Sequence, residues 1–158
     1  MHNKPTQIIV HHDGVSRDGP SFGIINEYHR TRGFPISSLG YYVGYHFLIE
    51  RDGQLKAARL LTDEGAHTKG QNFNSIGICL AGNFDVEMPT VEQKWRLGEL
   101  ISVLLLAFPI ADTDIYPHRH YAEKSCYGDK LSDTWARRVY LEHEHARIES
   151  VLAQLPTN

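Results

Sequence analysis

Apolar and polar positions alternate along the chain in a way that predicts strands and helices interleaved within one domain. Residues 7–12 (QIIVHH) form an apolar run ending in two histidines, followed by the turn pair Asp13-Gly14, which predicts a short buried strand. A helix is predicted over 20–32, with Ser21 as its cap and Gly33 and Pro35 closing it. Residues 41–50 (YYVGYHFLIE) are rich in aromatic and β-branched side chains and lead into Arg51-Asp52-Gly53. With 54–59 they predict a β-hairpin. The near-continuous apolar run 75–81 (SIGICLA) reads as a central strand, which needs apolar residues on both faces. A Thr-x-x-Gln cap at Thr90 and Gln93 opens an amphipathic helix over 90–108. Residues 115–118 form a short strand candidate, and 132–155 a helix with a strongly charged face. The expected fold class is α/β: a single domain over 1–158 with a central mixed β-sheet flanked by α-helices.

Composition narrows the functional classes. The 158 residues are 41% hydrophobic and 22% charged, which is a globular balance. A formal net charge of -3 offers no basic field for a nucleic-acid backbone. Two cysteines cannot make a disulfide framework. The longest apolar stretch, 101–111, is interrupted by Ser102 and Pro109 and falls short of the roughly 18 residues of a membrane span. No export signal is legible near the start, so the expectation is a soluble monomer made in the cytoplasm, without membrane insertion. Histidine is the outlier, with ten copies.

Three clusters place acid–base or metal-binding side chains at strand ends or in loops, where sites usually lie. They are His11-His12; His118-Arg119-His120 with Glu123, Lys124 and Cys126; and Tyr45-His46 with His67 in a Gly-rich loop. A catalytic zinc takes three protein ligands and keeps one position open, and either His11 or His12 with His118 and Cys126 meets that count. Strand alternation does not choose between His11 and His12, because both faces of QIIVHH are apolar. Cys79, in the middle of an apolar run, reads as a small core residue. His46 falls on the opposite strand face from Tyr45 and suits a structural hydrogen bond.

Four segments in order resemble the type 2 N-acetylmuramoyl-L-alanine amidases, which include phage lysozyme-like amidases and animal peptidoglycan recognition proteins. They are IIVHHDG (8–14), VGYHFLIERDG (43–53), GAHTKGQNFNSIGICLAG (65–82) and the pattern from His118 to Cys126, framing about three quarters of the chain. The resemblance implies one Zn2+ per chain held by His11, His118 and Cys126. It also implies catalytic roles for Tyr45 and Lys124, and peptidoglycan or muropeptide as substrate. His67 and Asn74 are candidates for lining the substrate groove. The implied reaction cleaves the amide between N-acetylmuramic acid and L-alanine. A phage endolysin, which reaches the wall only after membrane permeabilisation, is the expected setting. Recycling of muropeptide fragments and non-catalytic muropeptide binding are the alternatives. One departure stands out: Tyr127-Gly128 follows the cysteine where the family usually has proline, which on paper leaves the ligand loop less rigid.

Overall fold

In the computed structural model, which describes residues 2–157, five strands form one sheet, with the fourth strand in sequence at its middle and the first beside it. The strands are β1 (Gln7–His12), β2 (Phe47–Ile49), β3 (Leu55–Ala57), β4 (Ser75–Leu80) and β5 (Ile115–Pro117), and the helices are α1 (Phe22–Thr31), α2 (Val91–Ala107) and α3 (Trp135–Leu152). The spatial order is β3-β2-β4-β1-β5; β1 runs parallel to β4 and β5, β2 parallel to β4, and only the β2–β3 hairpin is antiparallel. The expected mixed sheet between helices is therefore present.

Every residue of β1 and β4 is buried, which explains their unbroken apolar character. Alternate side chains serve two different faces. Ile8, Val10, Ile76, Ile78 and Leu80 pack with Leu97, Ile101 and Leu104 of α2 and with Ala136 and Val139 of α3 in the main core. Cys79 and Leu48 point the other way and pack with Ile25 of α1 and Val43. Helices α2 and α3 thus cover one face, while α1 covers only part of the other. No helix among the described residues is long and apolar enough to cross a membrane.

Helix boundaries follow the sequence signals where the cap is local. Thr90 and Gln93 form the expected reciprocal box, with Gln93 N–H donating to Thr90 Oγ1 at 3.0 Å and Thr90 N–H to Gln93 Oε1 at 3.1 Å. At α1 the expected cap is different. The Ser21 side chain caps nothing; the buried Glu50 carboxylate accepts from the Ser21 and Phe22 N–H groups at 2.8 and 2.9 Å. A cap from 28 residues away ties the end of β2 to the start of α1, and local sequence does not announce it. Helix α3 starts at Trp135 rather than 132, because residues before it fold back onto the loop that follows β5.

The hairpin is shorter than the run 41–50 predicts. Only Phe47–Ile49 pairs with Leu55–Ala57. Just before it, Gly77 N–H donates to His46 Nδ1 at 3.0 Å while His46 N–H donates to Gly77 O at 2.9 Å, so a ring nitrogen replaces a main-chain acceptor and the ladder stops. Residues 41–45 pair with no strand, and the chain bends at Gly44 and Tyr45 before β2 begins.

Replacing Glu50 with alanine strands two N–H donors at a buried helix end, which costs about 1–3 kcal/mol. Urea unfolding of Glu50→Ala is expected to show that loss with an unchanged dependence on denaturant, and Glu50→Gln, which keeps one acceptor, a smaller one.

Candidate metal centre

The period of two in β1 decides which histidine can meet the loop ligands. His11 shares a register position with Cys79 and so emerges on the face that α1 leaves partly open. His12 pairs with Leu80 and turns to the opposite face, where its Nδ1 accepts from Phe84 N–H at 3.0 Å. The ligand atoms of His11, His118 and Cys126 all lie within 4.8 Å of one another. His11 Nδ1 is 3.7 Å from Cys126 Sγ, and the His11 and His118 ring centres are 4.4 Å apart. Tetrahedral zinc with ordinary bond lengths separates a nitrogen and a sulfur ligand by about 3.6 Å, so this N, N, S donor set fits zinc in both chemistry and span.

Burial sets the protonation of these groups. It drives His11 well below the ordinary histidine range, helped by neighbouring His67, His118 and Lys124, and it lowers His118 to about 4, again with Lys124. Both rings are therefore neutral near pH 7 and able to bind a metal. Burial acts against Cys126, pushing its thiol up to about 12, while the His12 N–H at 3.4 Å from Sγ and the Lys124 charge pull it back. A metal ion overcomes the remaining cost by displacing the thiol proton.

The loop carrying His118 and Cys126 is anchored from within. Arg119 donates to the carbonyls of Ser125, Gly128 and Leu131 at 3.2, 2.9 and 2.6 Å and pairs with Asp133 at 2.6 Å. Its own N–H donates to Cys126 O at 2.6 Å. The Tyr127-Gly128 pair that stands in place of proline is fixed by packing instead. Tyr127 is 1% exposed against Trp135, and Gly128, at φ +115, lies so close to Phe84 that a Cβ there would come within 2.5 Å. The sequence assigns Arg119 no role of its own within the His118–His120 cluster. Its alternation with His118 and His120 gives no hint that it holds the loop.

Tyr45 stands beside the cluster, its ring 5.0 Å from that of His11. Burial, together with Cys79 and Cys126, raises its pKa well above the ordinary phenol value, so it is a neutral O–H. Lys124 is exposed on the ligand loop, near enough to lower the proton affinity of His11, His118 and Cys126. His46 is fully buried, and its ring nitrogens face Gly77 N–H, Asp63 O and the Asn3 side chain, in keeping with a structural role.

The two groove candidates occupy different places in the fold. His67 is buried beneath His11, its Nδ1 3.0 Å from His11 Nε2. Asn74 lies just before β4, near the opposite end of β1 from His11, where its side chain accepts from Gln7 Nε2 at 3.3 Å. Gln7 in turn accepts from the Tyr121 hydroxyl on the ligand loop.

A His/His/Cys cluster that could hold a metal thus sits at the carboxyl end of a buried interior strand of a mixed sheet. The sequence profile of the N-acetylmuramoyl-L-alanine amidases matches residues 1–130, and the chain belongs to that family. The endolysin of Escherichia phage T7 is 32% identical over 139 residues, covering 84% of this chain and 87% of its own. Peptidoglycan-recognition protein SC2 of Drosophila melanogaster is 28% identical over 133 residues, covering 81% and 72%. Among solved structures, the N-acetylmuramoyl-L-alanine amidase LysC from Clostridium intestinale superposes with a TM-score of 0.72 at 28% identity, over 93% of this chain and 87% of that one.

Arg119→Ala leaves three loop carbonyls without their donor, a loss of about 1–3 kcal/mol. The expected result is a lower unfolding midpoint and faster amide exchange confined to residues 118–133, both measurable without any metal present.

Proposed function

We propose that this chain is a zinc-dependent N-acetylmuramoyl-L-alanine amidase that cleaves the bond between N-acetylmuramic acid and L-alanine in peptidoglycan, and that it serves as a phage endolysin. The observation that carries the reading is the buried His11, His118 and Cys126 cluster, with Tyr45 on one side and Lys124 on the ligand loop. Phage endolysins among its relatives, matched over most of both chains, support the lytic setting.

Zinc bound by these three residues would supply Lewis-acid activation of water and of the scissile carbonyl. The protein side chains carry the rest. His11 and His118 are held neutral by burial and present lone pairs rather than protons. Tyr45 keeps its proton at neutral pH and can donate a hydrogen bond to the oxygen on which charge develops. Lys124 adds a positive charge from the loop side, where it opposes the build-up of negative charge during attack. Proton delivery to the departing amine falls to one of these two groups, since both stand beside the cluster. Asn74, partly exposed, is kept as a substrate contact, and His67 receives a different role below.

The test is digestion of purified peptidoglycan, scoring new L-alanine amino termini with and without a chelator. Release that stops with chelator and returns with added zinc is expected. Tyr45→Phe and Lys124→Ala should each lower turnover at least about tenfold, or about 1.4 kcal/mol in the barrier, while zinc stays bound. Full activity in both variants would remove those roles. With zinc bound, absence of release from both intact wall and soluble fragments would instead favour a muropeptide-binding module.

A further inference from the structure

Two buried side chains beneath His11, Ser75 and His67, form a directed chain of hydrogen bonds. Ser75 opens β4, and its hydroxyl donates to Gln71 O at 2.6 Å. That hydroxyl has a single hydrogen, so toward His67 Nε2, 3.4 Å away, it can only accept. His67 must then carry its proton on Nε2, which leaves Nδ1 bare. The nitrogen facing that bare Nδ1 at 3.0 Å is His11 Nε2, which therefore donates. A neutral His11 protonated at Nε2 has its lone pair on Nδ1, the atom that faces Cys126 Sγ.

The surroundings hold His67 in this pose. Its ring occupies a slot between two glycines: a Cβ on Gly65 or Gly77 would come within 2.4 or 2.5 Å of His67 Cδ2. Asn72 Oδ1 accepts from the His67 and Thr68 N–H groups, both at 2.9 Å, and fixes the backbone beneath the ring. Thr68 Oγ1 also lies 3.0 Å from His67 Nδ1. As an acceptor it would favour the opposite assignment, with the proton on His67 Nδ1.

We propose that Ser75 and His67 are positioning residues that fix His11 in its Nε2–H form, so that Nδ1 is presented to the metal. The proposal rests on the zinc reading for its purpose, but the proton positions are properties of the protein alone. A ligating histidine ordinarily donates its other ring N–H to a carboxylate, carbonyl or water, and loss of such a partner weakens metal affinity by about 10–100-fold. Here a neutral imidazole takes that place, with a serine hydroxyl setting its direction.

Long-range 15N–1H correlation of the histidine rings reads the proton positions directly. Both His67 and His11 are expected to carry their proton on Nε2 in the metal-free protein, and His11 to keep it there after zinc is added. His67 protonated on Nδ1 would overturn the proposal. Zinc affinity, measured by competition with a chromogenic chelator, is expected to fall about 10–100-fold in His67→Ala and about threefold or more in Ser75→Ala. Thr68→Val, which removes only the competing hydroxyl, should bind zinc as well as or better than wild type. Unchanged affinity in folded Ser75→Ala, or a loss in Thr68→Val with none in Ser75→Ala, would reverse the direction of the chain and overturn the proposal. If His67→Ala does not fold, the wild-type spectrum and Ser75→Ala decide alone. Failure of wild type to take zinc would sink the metal reading, while the metal-free spectrum would still judge the chain.

Discussion

Strand β1 lies inside the sheet with a neighbour on each side and every residue buried, so its residues must satisfy two environments in strict alternation. Ile8 and Val10 belong to the core beneath α2 and α3. Their odd-numbered neighbours belong to the other face, and there the strand ends in His11. A slip of one residue would exchange His11 for His12 and bury the ligand against Phe84. The register with β4, fixed by five parallel steps from Gln7↔Ser75 to His12↔Leu80, prevents this. The candidate metal site therefore inherits its geometry from core packing that contains no chemistry.

The remaining two ligands come from a loop, which must be as well placed as a strand to serve the same purpose. Arg119 achieves this by spending its guanidinium on loop carbonyls and one carboxylate instead of on solvent. Tyr127 and Gly128 then pin the far end against Trp135 and Phe84. Proline would restrict this backbone through its own ring. Here tertiary contacts restrict it, and the constraint is shared among residues more than 40 positions apart in sequence.

Much of this was legible from sequence, and the limits have physical causes. Strands with two buried faces announce themselves by unbroken apolar runs, so β1 and β4 were readable almost to the residue. That same property hid the choice between His11 and His12, since two apolar faces give no polarity to orient them; only the family resemblance made it. The Thr90 cap is local and was visible, whereas the Glu50 cap is not local and was missed. The aromatic run 41–50 looks like strand throughout, but the ladder begins only at Phe47, because the His46 ring takes the Gly77 N–H that a main-chain acceptor would otherwise receive. His67 was noticed as a polar group in a Gly-rich loop. The signal that it lies beneath the site was in the glycines, Gly65 and Gly77, whose missing side chains make room for its ring.

Burial has opposite effects on the members of this cluster, and that opposition shapes the site. For a histidine, a low-dielectric setting removes the proton and leaves a ligand; for a cysteine it retains the proton and withholds one. His11 and His118 are thus prepared as ligands by the same desolvation that pushes Cys126 up to about 12. The His12 N–H on Sγ and the Lys124 charge offset part of that cost before any metal arrives. Lys124 cannot be moved inward to offset more of it. A lysine pays a desolvation cost of its own when buried, and its charge already disfavours protonation at the histidines from where it stands. An exposed lysine on the ligand loop is consequently the arrangement that helps the thiolate, spares the imidazoles and keeps its own charge in solvent.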